Sequence, residues 1–175
     1  MGQRRWLDQR EQAVWQAYLH LNQELYAVLE QRLVREAGLS GADYKVLHAL
    51  SEAPGGLLRA RELAAEIGWD RSRLSHHVNR MERRGLVVRE ECTEDGRGLM
   101  LRLTAVGRRA IAGAAPAHVE HVRRCFFDVV STEELETLEA VFNRVLENLV
   151  GEERDRVARR VAPTSLRRAR GTRGG

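Results

Sequence analysis

Between residues 60 and 84 the apolar positions fall at helical spacing in two short runs with a turn between them. Leu63, Ala64 and Ile67 give the first run the three-and-four spacing of a short helix with one buried stripe. Gly68 ends it, because glycine takes the left-handed conformation without a Cβ clash. Trp69 and Asp70 form the turn, and the Asp70 carboxylate is a good N-cap for the helix that follows. From Arg71 onward only Leu74, Val78 and Met81 are apolar, spaced four and three, which predicts a narrow inward stripe. Gly85 then closes the second helix. Beyond it the period changes to two. Leu86, Val88 and Cys92 alternate with Val87, Arg89 and Glu91, and Leu99, Leu101 and Leu103 alternate with Met100 and Arg102, predicting two strands. The polar segment 93–98 (TEDGRG) joins them as a turn-forming tip. In this phase Leu86 and Val88 point inward, and Cys92 with them as a small core residue.

The flanks are longer helices. Residues 8–36 contain neither proline nor glycine. They carry two offset apolar stripes, one through Val14, Tyr18, Leu21, Leu25 and Val28, the other through Trp15, Leu19, Tyr26, Leu29 and Leu33. A helix that is apolar on two sides must be covered on two sides. Residues 41–52 predict a shorter helix, broken by Pro54-Gly55-Gly56 before the extended Leu57-Leu58. Residues 105–130 predict another long helix. Thr132 is expected to cap a last one, whose broad apolar face runs from Leu135 through Phe142 to Leu149. These helices exceed what one small reading domain needs to bury, so a two-fold homodimer is the economical expectation. The expected fold is mostly α with a small β-wing: a winged helix-turn-helix domain over 37–104, flanked by long dimerisation helices at 1–36 and 105–150. A basic, partly disordered tail follows over 151–175.

Chemistry enters with the second helix of the motif. Its non-apolar positions are Arg71, Ser72, Arg73, Ser75, His76, His77, Asn79, Arg80, Arg83 and Arg84, with Glu82 the only acid. An ordinary solvated face mixes Glu and Lys in i,i+4 pairs. This one has five arginines and short hydroxyl and imidazole donors, the groups that reach phosphates and base edges. Arg73, Ser75, His76 and His77 are expected to approach the major groove of double-stranded DNA, with Ser72 and Arg80 nearer the phosphates and Arg71 a further DNA-binding candidate. Arg97 at the strand tip is placed to enter the adjacent minor groove. Asp95 cannot favour DNA by charge and is expected to orient a nearby arginine.

The run RSRLSHHVNRMERRGLVVRE, followed by EDGRG with its Asp95-Gly96-Arg97 and by an LT..G segment, resembles the MarR family of bacterial winged-helix regulators. The resemblance spans roughly residues 10–150. It implies a dimeric DNA-binding regulator, often a repressor released by a small molecule or by oxidation. Two recognition helices about a two-fold axis imply a roughly palindromic operator. Trp69 departs from the family pattern, which usually has a smaller aliphatic residue there. It either widens the packing of the turn or leaves an indole edge near the DNA backbone.

Composition adjusts this picture only slightly. The net charge of +4 and a pI near 9.7 favour a polyanionic partner. Of the 29 basic residues only Lys45 is lysine, so position carries more than number. No apolar run approaches a membrane span, the N-terminal segment lacks a signal-peptide core, and two cysteines make no disulfide framework. A cytoplasmic location is expected. No phosphate-cradling glycine loop, zinc-protease motif or nucleophile elbow is present, so neither an enzyme nor a cofactor is expected. A small-molecule effector that changes the separation of the two reading heads would switch DNA affinity. Trp15, Tyr18, Tyr44 and His48 are candidate walls for its pocket, against the plainer reading of core and interface aromatics. His118, His121 and Cys125 share one helix face at i, i+3 and i+7, yet without a fourth ligand no metal site is expected. A metal- or redox-responsive regulator using them and Cys92, and a winged-helix module that docks proteins without reading DNA, are the alternatives. The tail carries eight arginines against three acids. It is either solvated or a non-specific phosphate arm.

Overall fold

The computed structural model describes residues 5–91 and 98–161, those after Gly151 as backbone only. Cys92, Asp95, Arg97 and the tail beyond Val161 lie outside the described residues. The chain forms two compact units, one through Phe126 and one from Phe127 on.

In the first unit, α1 (Gln9–Ala37) opens on a capping box in which Asp8 and Glu11 satisfy each other's backbone amides. A second box, Ser40 with Asp43, opens α2 (Gly41–Glu52). Pro54 and its two glycines turn the chain into β1 (Leu57–Arg59), which leads directly into α3 (Ala60–Glu66). Gly68 stands at φ 69° where the helix-turn-helix bends, as expected of a residue with no Cβ to clash. Asp70 accepts from Arg73 N at 2.8 Å and starts α4 (Arg71–Arg83). Then come β2 (Val87–Glu91), β3 (Leu99–Leu103) and α5 (Ala105–Cys125).

The three strands form an antiparallel sheet in the order β1-β3-β2. Leu57-Leu58 thus lies in the first strand of the wing sheet, opposite Arg102 and Leu101. One core unites α2, α3, α4 and the sheet with the end of α1 and with α5. Leu33, Val46, Leu47, Leu63, Val78, Met81, Leu101 and Ile111 are its centre. Thr104 caps α5 through its hydroxyl, which accepts from Gly107 N and donates to the carbonyls of the α4–β2 turn. Gly107 is demanded by that approach: a Cβ there would sit 2.1 Å from the Leu86 carbonyl oxygen.

Three expectations are corrected. The inward phase of β2 is opposite to the expected one: Val87 is 2% exposed and Val88 40%. The cause is local. Leu86 N donates to Met81 O and so belongs to the closing turn of α4, and the strand's alternation starts one residue later. Leu86 is buried by that turn, so it gives no phase for Cys92. Leu99, at the far end of β3, is exposed, while Leu101 and Leu103 are buried as expected.

The helix over 105–130 stops at Cys125, where Phe126 leaves helical geometry and a short 3-10 turn follows over Phe127–Val129. The last helix is capped by Ser131 rather than Thr132, because Ser131 and Glu134 form the reciprocal pair of bonds. That helix, α6 (Thr132–Val161), makes up most of the second unit. Phe142, Val145, Leu146 and Leu149 stand exposed along it. No helix of the described residues is long and apolar enough to cross a membrane.

Candidate nucleic-acid interface

Helix α4 sinks Leu74, Val78 and Met81 into the core and turns Arg71, Ser72, Arg73, Ser75, His76, Asn79, Arg80 and Arg83 to solvent. Its one acid, Glu82, is half-buried and taken up by Arg89 of β2, whose backbone N–H and guanidinium both donate to it. A second guanidinium nitrogen of Arg89 donates to Ser75 O at 3.2 Å, so the root of the wing is bolted to the exposed helix. The outward face is therefore donor-rich and free of carboxylates among the described residues. Such a face suits phosphate oxygens and the acceptor edges of bases.

His77 corrects the sequence reading. It does not join the outward face: it is 6% exposed and points toward α2. Its Nε2 lies 3.0 Å from Asp43 Oδ1, a close electrostatic contact bent away from hydrogen-bond alignment. Arg80 donates to Nδ1 at 2.8 Å, which makes that nitrogen an acceptor and puts the ring proton on Nε2, facing the carboxylate. Arg84 is also turned away from the outward set. It donates to Asp43 Oδ2 at 2.6 Å and to Gly38 O at 2.7 Å. Burial raises the Asp43 carboxyl, but His77, Arg84 and the bonds from Ser40 outweigh it and hold it well below the usual carboxylate range. A buried ionic hub thus fixes α4 to the start of α2.

The ring of the turn residue Trp69 stands T-shaped to that of His77, at 5.3 Å between centroids, and the Arg73 guanidinium carbon lies 4.5 Å over the indole. Beside the first turn of α4 runs a groove of about 440 Å³ between the start of α3 and the wing. Arg59, Arg61, Arg71 and Arg89 stand around it with Ser75. Arg59, Arg61 and Arg89 were not expected at the site from the sequence, since they lie in β1, α3 and β2 and reach α4 only when those elements pack beside it. Across the wing, Arg102 of β3 donates to Glu90 of β2 at 2.8 Å. That bond holds the Glu90 carboxyl below its ordinary range.

The four candidate effector-pocket residues fall into two sets. Trp15 and Tyr18 stack on each other at 5.5 Å on the exposed side of α1. Tyr44 instead packs between His48 at 5.9 Å and His118 of α5 at 4.3 Å. No ring contact links the two sets among the described residues. Burial pushes the Tyr44 hydroxyl up, and burial together with the charges of His121 and His48 pushes His118 down. The nearest groove, between Glu36, His118 and His121, holds only about 50 Å³. A drug-sized ligand needs roughly 300 Å³ or more.

His121 binds Glu36 of α1 at 2.9 Å, His118 faces Tyr44, and Cys125 is exposed. Their shared helix face gathers no three metal-ligating side chains among the described residues.

A three-stranded wing on a helix-turn-helix, whose second helix shows no carboxylate on its outward face, defines a winged-helix protein. The MarR family model matches residues 37–98. AbsC, a MarR family transcriptional regulator from Streptomyces coelicolor, is 40% identical, with a TM-score of 0.80 over 84% of this chain and 99% of that one. Sco3205, a MarR family regulator of the same organism solved in complex with DNA, is 38% identical, with a TM-score of 0.81 over 85% and 93%. The PcaV regulator, also from Streptomyces coelicolor and solved with its natural ligand, is 28% identical, with a TM-score of 0.66 over 82% and 97%. No curated protein sequence matches significantly. The chain belongs to the MarR family of transcriptional regulators.

Proposed function

We propose that the protein is a homodimeric, sequence-specific DNA-binding repressor that reads a roughly palindromic operator and responds to a small-molecule effector. The observation that carries DNA reading is the outward face of α4, rich in donors, without a carboxylate, and braced from behind by Asp43 and His77. Sco3205 was solved in complex with DNA, which supports the same role here. In this reading Arg73, Ser75 and His76 meet base edges and Arg71, Ser72 and Arg80 meet phosphates. Arg97 enters the minor groove, with Asp95 orienting an arginine beside it. His77 keeps a structural task.

The dimer rests on apolar surface left open in the single chain: Trp15, Tyr18, Leu19 and Tyr26 on α1, and Phe142, Leu146 and Leu149 on α6. Taken separately, each helix leaves a set of large apolar side chains in water, which a partner surface would cover. Effector control rests on the likeness to PcaV, solved with its natural ligand. Tyr44, His48 and His118 are the candidate contacts, in a pocket that must open or be completed by the second subunit.

Selection of bound duplexes from a random pool, repeated with candidate metabolites, tests the whole reading. The expected result is an enriched inverted repeat with half-sites about one helical turn apart. With about six phosphate contacts per dimer, affinity should fall roughly 10³-fold between 50 and 200 mM salt. Failure to enrich any sequence, or a flat salt response, refutes DNA reading. A reporter driven through the enriched site, silenced by the protein and restored by one compound, separates repression from activation and names the effector.

A further inference from the structure

Arg73 differs from the other well-anchored arginines around α4 in what holds it. Arg84 is paired with Asp43, Arg89 with Glu82 and Arg102 with Glu90. Arg73 lies instead over the Trp69 ring, its guanidinium carbon 4.5 Å from the centroid, and pairs with no carboxylate among the described residues. The difference matters for recognition. A carboxylate consumes the in-plane N–H donors of a guanidinium, whereas an aromatic face restrains the same plane and leaves its donor fork open.

The Trp69 ring is itself fixed. Its backbone N–H donates to Ala64 O at 2.8 Å, and its ring stands nearly perpendicular to that of His77. His77 is in turn held by Asp43 and Arg80. Arg73 begins from a backbone amide bound to Asp70 Oδ1, in the first turn of α4, the part of a recognition helix that contacts base edges.

We propose that Arg73 is the specificity-determining side chain of each half-site, reading a guanine through its free donor fork, and that Trp69 is its positioning residue. The proposal rests on the DNA-reading role put forward above. It gives the departure at Trp69 a purpose: an aliphatic residue in this turn fills space but cannot orient a guanidinium. Guanine is the expected base because its O6 and N7 match the two parallel donors of arginine in the major groove.

The test uses the full-length protein and the operator obtained by selection, with W69F, W69L, R73K, R73A and the double variant W69L/R73A. Loss of an exposed cation–π contact corresponds to about two- to fivefold per half-site, hence about tenfold for a two-fold operator. W69L is expected to lose that tenfold on operator DNA while keeping its affinity for unrelated duplex and its salt slope. W69F is expected to restore most of it. In the R73A background W69L should have no further effect. R73A and R73K selections should lose preference at one guanine per half-site, R73K without a change in salt slope.

Tighter operator binding by W69L would show that Trp69 parks Arg73 away from DNA and would overturn the proposal. So would a W69L loss that persists in full in R73A, or an R73A selection that retains every guanine. Because Trp69 also touches His77, R73A, on the exposed surface, carries the test independently of any folding defect in W69L. If the wild-type protein enriches no duplex, the DNA-reading role itself fails and this inference with it. An enriched operator with unaltered base preference in R73A refutes this inference alone.

Discussion

Replacing Asp43 by alanine should be among the most damaging single changes outside the apolar core. Its carboxylate receives the Ser40 backbone N–H at 2.9 Å, the Arg84 guanidinium at 2.6 Å and the close approach of His77 Nε2 at 3.0 Å. Losing the return arm of the capping box costs about 1 kcal/mol. Leaving the buried His77 ring without its partner costs about 1–3 kcal/mol. Arg84 is 43% exposed in its side chain and returns to water, so its share is about 0.5 kcal/mol. The combined loss is about 3–4 kcal/mol, within the range for breaking a buried pair on one side. For a chain of this size each kcal/mol moves Tm by about 2–4 °C, giving a drop of about 10 °C.

Thermal unfolding by circular dichroism at one fixed protein concentration measures it, since the proposed dimerisation would make Tm depend on concentration. Asp43→Asn, which keeps the shape, separates charge from packing. The pH dependence has a definite sign. The folded carboxyl is held below its unfolded value, so the unfolded chain takes up the proton first as pH falls through about 4. The contribution is complete above that pH and is lost progressively on acidification. Wild type should therefore lose stability below about pH 4 more steeply than Asp43→Asn. A Tm for Asp43→Ala within about 3 °C of wild type, or identical acid limbs in the two proteins, would remove the hub from the account.

Gly107→Ala forces a Cβ to within 2.1 Å of the Leu86 carbonyl and 2.8 Å of Leu103 Cδ1. It should cost about 2–3 kcal/mol in chemical denaturation, and a neutral substitution would contradict the close approach of α5 to the α4–β2 turn. Phe142→Asp, on the exposed apolar face of α6, should shift sedimentation from dimer to monomer; an intact dimer would remove that face from the proposed interface. Arg97→Ala should weaken operator binding by about 1–3 kcal/mol, and full affinity would sink the proposed minor-groove contact. Removing residues 163–175 should lower both DNA affinity and its salt slope if the tail is a phosphate arm, and leave both unchanged if it is merely solvated.

Where a feature depends on a few neighbouring residues, it was legible before folding. The end of α3 at Gly68, the Asp70 cap and the span of α2 are all local matters of backbone and capping chemistry. The phase of β2 was not, because the apolar run Leu86-Val87-Val88 fits either alternation. What decides it is the closing bond from Leu86 to Met81, a property of the helix end rather than of the strand. Arg59 was similarly hidden, since β1 pairing with β3 is a long-range event that no local pattern specifies, and Arg61 and Arg89 join it only once α3 and β2 pack beside α4.

His77 is the more instructive miss. Residue type marked it as an outward donor, yet on a helix turning about 100° per residue it lies only about 60° from Leu74 and about 40° from Met81. By angle it belongs to the buried stripe, and a polar residue there requires a buried partner. Asp43 is that partner, 34 positions earlier in the chain, and its own role as half of a capping box concealed the second one. The pairing also explains how a helix so crowded with arginines keeps its place against the core. Arg80 and Arg84 each commit donors to the hub, so part of the positive charge of α4 is compensated by Asp43 from within. The outward arginines, with Arg73 on its indole, need no acid beside them. An acid on that face would repel the phosphates that the helix is proposed to approach, so its counter-charge is placed behind the helix.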